Sequence, residues 1–244
     1  MQIVFIAGQA GMGKTTVATI IAEESFKLGL KPVLESFAKP IKEAAIDRGF
    51  SKEEFPDKYR RFCQRLGALK RKEEEDYWVN RIRNRLVEIK QQEQDDIESG
   101  KKYWEHIVII DDCRYLNEIQ LGKEENAFLM FLSKGRKAIK TGTWRKHESE
   151  VLSKEIDNNK LSPLRELFSY ILSNDISYDE LVEEIKEIVP LICGIEAESR
   201  SNGCKCPSCS GSSETQVFDL FKELRDTLEE HFGKDEEDTD EETN

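Results

Sequence analysis

Gly8, Gly11, Gly13, Lys14 and Thr15 are spaced so that one anionic ligand can meet all of them. The run Gly8-Gln9-Ala10-Gly11-Met12-Gly13-Lys14-Thr15 fits G-x-x-x-x-G-K-[ST] at every fixed position. Glycines let the backbone curl until successive N–H groups point at a phosphate, and a helix that follows adds the partial positive charge of its N-terminus. Lys14 then reaches the β- and γ-phosphates of a nucleoside triphosphate, and the Thr15 hydroxyl ligates Mg²⁺. Met12 and Thr16 belong to the same nucleotide-binding set.

A second acidic group is needed opposite such a loop. Asp111 and Asp112 follow the apolar run His106 to Ile110, and an acid at a strand end orients Mg²⁺ directly or through water. Arg114 comes just after, and its planar fork suits a phosphate held by two hydrogen bonds. Lys134 to Lys146 is a basic stretch that includes Arg136 and Arg145. Lying between two predicted sheet elements, it is expected to close as a lid over a transferring phosphoryl group. His147-Glu148-Ser149-Glu150 follows it.

The elements that must position these groups alternate. Ile3 to Ala7 reads as a buried strand, and Thr16 to Glu24 as a helix with no Gly or Pro. Val33 to Phe37 is a second strand, and Pro40 sits near the start of a helix that takes in Glu43 to Ile46. From Lys52 to Gln94, Phe62, Leu66 and Leu69, then Trp78, Ile82, Leu86 and Ile89, recur at helical spacing. His106 to Ile110 is apolar throughout, as a central parallel strand should be. Glu118 to Lys123 reads as a short helix, and Ala127 to Leu132 and Phe168 to Leu172 as strands. Ser177 and Glu180 form a capping-box pattern for a last helix over 178–189, with Pro190 closing the domain. Strands alternating with helices predict an α/β fold of three layers: a central parallel sheet, a helical insertion around 51–94 on the acceptor side, and a small C-terminal appendage.

The chain has 244 residues, a net charge of −12 and 35% charged residues. That acidity argues against a protein that grips nucleic-acid backbone. No apolar run approaches a membrane span and no signal-peptide pattern opens the chain. A cytoplasmic protein is expected, without nucleic-acid or membrane partners; a homodimer is compatible with the sequence. Residues 1–190 form the main domain. Residues 191–213 are rich in Cys, Gly and Ser, 214–233 form an amphipathic helix, and 234–244 an acidic tail. Cys193, Cys204, Cys206 and Cys209 give either a zinc knuckle with four thiolates or a cysteine-bearing linker.

Five patches fall in one order: Gly8 to Thr15, Ser36 to Lys42, Gln64 to Gly67 with Tyr77 to Val79, Asp112 to Glu118, and His147 to Glu150. In these, residues 1–190 resemble the deoxynucleoside monophosphate kinases encoded by tailed bacteriophages, within the P-loop nucleoside monophosphate kinase group. Met12 stands where the family often has Ser, Thr15 where many members carry Asp, and Lys39 where an acid is common. The resemblance implies transfer of the ATP γ-phosphoryl group, with Mg²⁺, to a deoxynucleoside monophosphate in the host cytoplasm. It also implies that Phe37, Ala38, Lys42, Gln64 and Arg114 lie near the acceptor; Glu150 is expected to join them, and Lys14, Asp112, Arg114, Arg136 and Arg145 are the residues expected to carry catalysis. Competing expectations are a kinase of another small acceptor, or an ATP-switched adaptor acting through the cysteine-rich tail. A GTPase would need an N-K-x-D segment, which the sequence lacks.

Overall fold

Runs of β-branched and aromatic residues too short for helices supply the sheet. The computed structural model describes residues 1–100, 103–133, 151–173 and 175–194. Its strands are β1 (Gln2–Gly8), β2 (Lys31–Glu35), β3 (His106–Cys113), β4 (Phe128–Ser133) and β5 (Tyr170–Ser173). The helices are α1 (Lys14–Lys27), α2 (Lys39–Asp47), α3 (Pro56–Glu73), α4 (Tyr77–Glu98), α5 (Leu116–Glu124), α6 (Val151–Asn158) and α7 (Tyr178–Ile192). Every strand pair is parallel, in the order β2-β3-β1-β4-β5. The chain passes from β1 out to β2, back to β3, and then across β1 to β4. The order therefore reverses at β1, and in open parallel sheets a ligand crevice lies beyond the carboxyl ends at such a point.

Side chains alternate across each strand, so one sheet builds two apolar layers. Val4, Ile6, Ile107, Ile109, Met130 and Leu132 bury one face against Val17, Ile20 and Ile21 of α1 and Ile185, Ile188 and Val189 of α7. On the other face α5 comes so close that a Cβ on Gly122 would lie 2.6 Å from Leu129 and 3.3 Å from Phe5. Trp78, Ile82, Leu86 and Ile89 of α4 are all buried, as their spacing predicts. Each such side chain contributes about 1.5–3 kcal/mol by leaving water. The expected three-layer parallel architecture is the one observed.

Four local expectations are corrected. Leu69 is 51% exposed, because α2 packs on the side of α3 that carries Gly67, where a Cβ would sit 3.4 Å from Ile41. β2 stops at Glu35, so Ser36 and Phe37 belong to a turn. β3 runs on to Cys113, which places both aspartates inside the strand rather than after it. Pro190 does not close the last helix: it lies inside α7. It occupies the last turn, where the absent N–H removes one hydrogen bond only. Gly194, at φ 65°, ends the helix instead. The capping box at Ser177 is present, with Glu180 N donating to Ser177 Oγ. Among the described residues no helix is long and apolar enough to cross a membrane.

Candidate active site

The glycine run forms the connection from β1 to α1. Gly8 ends β1 at φ 144°, and a Cβ there would meet the Leu132 carbonyl oxygen at 2.6 Å, so only glycine lets β4 press this close. Gly13 caps α1 in the left-handed region and, having no side chain, leaves the cap position to the backbone. The first helical N–H groups are the donors that a helix N-terminus offers to an anion. Lys14 is buried. Its ammonium donates to the carbonyls of Gly8 at 2.7 Å and Gln9 at 2.8 Å. Met12 is buried too, its side chain packed in the core.

The two aspartates part company. β1 advances from Phe5 to Ala7 while its neighbour advances from Ile110 to Cys113, a bulge of one extra residue in β3. A bulge re-aims the side chains on its strand. Asp111 faces the loop, and its carboxylate accepts a hydrogen bond from Thr15 Oγ1 at 2.6 Å. Asp112 is buried and accepts from Ser36 Oγ (2.7 Å), Phe37 N (2.8 Å) and Ala38 N (2.9 Å). Asp112 therefore holds the turn between β2 and α2. Thr15 and Asp111 form an all-oxygen donor set, the kind that suits a hard cation such as Mg²⁺.

Arg114 is half-buried at the end of β3. Its backbone N–H donates to Glu118 Oε2 at 2.7 Å. Phe37 is buried against Phe5, ring centroids 6.1 Å apart, and anchors its turn. Ala38 and Gln64 are half-buried and Lys42 is exposed, on the facing helices α2 and α3 and the turn before them. Lys39 is exposed, with its ammonium 3.7 Å from Glu35. Burial pushes the Cys63 thiol, next to Gln64, upward from its ordinary value. Thr16, Thr19 and Ile20 of α1 line a cleft of about 290 Å³ with Thr15 and Tyr178.

Two positioning groups escaped the sequence reading. Asp157 of α6 receives Gln9 Nε2 at 2.7 Å and Ser133 Oγ at 2.8 Å. It joins the glycine loop to the end of β4. Glu118 is buried and accepts from Arg114 N, Tyr115 N and Arg71. The helix α6 itself was also unpredicted. Arg136, Arg145, Glu150 and the basic stretch 134–146 lie outside the described residues. So do Cys204, Cys206 and Cys209; Cys193 is the half-buried C-cap of α7.

No family model matches the chain, and no curated protein does. Among solved structures it is similar to a shikimate kinase from Acinetobacter baumannii in complex with shikimate, at 13% identity and a TM-score of 0.39, over 81% of this chain and 96% of that one. It is also similar to a sugar kinase from Janibacter sp., at 17% identity and a TM-score of 0.32, over 79% of this chain and 98% of that one.

Proposed function

We propose that this chain transfers the γ-phosphoryl group of ATP to a small phosphorylated acceptor, and that the acceptor is a deoxynucleoside monophosphate. One observation carries the reading: Lys14, Thr15, Asp111 and Arg114 are all carried at the carboxyl ends of the adjacent strands β1 and β3. The backbone donors of the glycine loop and the N-terminus of α1 cradle the donor phosphates. Lys14 leaves its two carbonyls to neutralise charge on the β- and γ-phosphates. Thr15 and Asp111 would hold Mg²⁺, which when bound spreads and offsets the phosphate charge. Arg114 binds the acceptor phosphate on the opposite side of the crevice. That phosphate is already an anionic nucleophile, so the residues have to align it and offset repulsion, and no general base is needed.

The finer reading draws on the resemblance in the sequence. The turn 36–38, held by Asp112, and the α2–α3 pair with Lys42 and Gln64 make the acceptor side. Arg136, Arg145 and Glu150 enter this reading from sequence alone, and zinc has no part in it. The test incubates ATP and Mg²⁺ with each of the four DNA monophosphates and their ribonucleotide counterparts, with products read by chromatography. A diphosphate should form with at least one deoxynucleotide and vanish in Lys14→Ala. Slow ATP hydrolysis indifferent to every acceptor would overturn the reading and favour a nucleotide-switched adaptor.

A further inference from the structure

Glu118 is a carboxylate with 2% of its side chain exposed, on a helix whose other work is ordinary packing. Burying a charge is expensive unless its partners are well placed. Its partners here come from two directions. Glu118 Oε2 receives the backbone N–H groups of Arg114 at 2.7 Å and Tyr115 at 3.2 Å. Glu118 Oε1 receives Arg71 Nη2 of α3 at 3.3 Å. The Arg71 guanidinium lies over the Tyr115 ring, 3.8 Å from its centroid.

Arg71 is itself fitted. Gly67, one turn earlier on α3, leaves the room it uses, since a Cβ there would stand 3.2 Å from Arg71 Nη1. The Gly67 carbonyl accepts from Trp78 Nε1 at 3.2 Å, which ties α3 to α4. One carboxylate thus joins the acceptor-side helices to the peptide that carries Arg114.

We propose that Glu118 is a positioning residue for the acceptor phosphate: it fixes the Arg114 peptide and, through Arg71, locks α3 to it. The inference rests on the reading that Arg114 binds the acceptor. An ordinary capping glutamate needs no partner on a distant helix, and this one has Arg71, 47 positions away. The charges that face it are Arg71 from α3 and Asp112 from β3. Burial pushes its carboxyl up to about 7, opposed chiefly by Arg71. The charged form, which accepts from all three donors most strongly, therefore gives way to the protonated form as pH falls through about 7.

The experiment compares KM for the accepted monophosphate in the wild-type chain, Glu118→Gln, Arg71→Met and Arg71→Lys, between pH 6 and 8. At pH 8 both Glu118→Gln and Arg71→Met should raise the acceptor KM about tenfold and leave the KM for ATP within about twofold. Arg71→Lys, which keeps charge without the fork, should recover part of the loss. A monophosphate has its own ionisation near pH 6, so the readout is the ratio of variant to wild-type KM, in which the substrate's titration cancels. That ratio should shrink as pH falls and wild-type Glu118 gains its proton. A pH-independent ratio, or a loss shared equally by the ATP KM, makes Glu118 a structural cap and overturns the proposal. Arg71→Met carries the same test should Glu118→Gln fail to fold. Absence of transfer to any monophosphate by the wild-type chain would overturn the functional reading itself and this inference with it. Transfer with wild-type acceptor KM in both variants would overturn the inference alone.

Discussion

The Thr15 hydroxyl donates to the Asp111 carboxylate across 2.6 Å, joining the first turn of α1 to the bulged end of β3. Two side-chain oxygens thus sit together beside the glycine loop, while the neighbouring carboxylate of Asp112 is turned away to hold Ser36, Phe37 and Ala38. Adjacent acids of the same type have different work because successive side chains of a strand leave on opposite faces, one meeting Thr15 and the other the turn 36–38.

The two aspartates should therefore fail differently. Asp111→Asn should reduce phosphoryl transfer roughly a hundredfold or more and raise the Mg²⁺ concentration needed for half-maximal rate. Thr15→Ala should act in the same direction, and Thr15→Ser should restore it. Asp112→Asn should leave the Mg²⁺ requirement alone and weaken acceptor binding, since the turn before α2 loses its anchor. Rates titrated against Mg²⁺ decide the matter. An unchanged Mg²⁺ requirement in Asp111→Asn would sink the assignment.

Much of this was legible in the sequence, and what was missed has a common cause. The glycine loop is local: its fixed residues, the strand before and the helix after lie within one short stretch. The stripe Trp78, Ile82, Leu86, Ile89 repeats the helical period, and all four residues are buried. Leu69 fits the same period, yet period alone does not say which side of α3 its neighbours cover. The division of labour between Asp111 and Asp112 depends on distant partners, Thr15 for one across 96 positions and Ser36 for the other across 76. Asp157 and Gln9 meet across 148 positions, and no local pattern announces such a contact. Glu118 was within reach. It stands three residues after Tyr115, as an acid in a capping box does.

A buried charge cluster far from the loop sets a pH dependence of the fold. Glu93 of α4 accepts from His106 N at 2.6 Å, faces His106 Nδ1 at 2.9 Å, and lies 3.5 Å from the Met1 ammonium. Burial alone would raise its carboxyl, but the His106 hydrogen bonds and the ammonium outweigh that and hold it below its ordinary value of 4.5. A carboxyl depressed by folding contributes stability that is present above its unfolded value and lost as pH falls through the folded one. Glu93→Gln should cost about 1.5–3 kcal/mol at neutral pH, the range for hydrogen bonds to a charged group. It should also lose part of the acid-side slope below about pH 4.5, where the unfolded carboxyl titrates. Urea unfolding from pH 3 to 8 reads both quantities. Equal stability of the two proteins across that range would remove the cluster's claimed role.

The most discriminating variant concerns Arg114. It leaves β3 next to the aspartates, and Glu118 fixes its peptide at 2.7 Å. In the proposed reaction two anionic phosphates come together, and their repulsion is a large part of what the site would have to offset. An arginine does this on the acceptor side with two parallel hydrogen bonds, without competing for the ligands of the donor side. Lysine would keep the charge and lose the fork. Arg114→Lys should therefore remove about 1–3 kcal/mol of transition-state stabilisation, seen in kcat/KM for the monophosphate. ATP affinity should hardly change, because Lys14, Thr15 and the loop backbone are untouched. Steady-state kinetics with each substrate varied in turn separates the two sides. If ATP binding collapses while the KM for the monophosphate stays at its wild-type value, Arg114 serves the donor phosphates. The acceptor would then have to be held from α2 and α3, by Lys42 and Gln64.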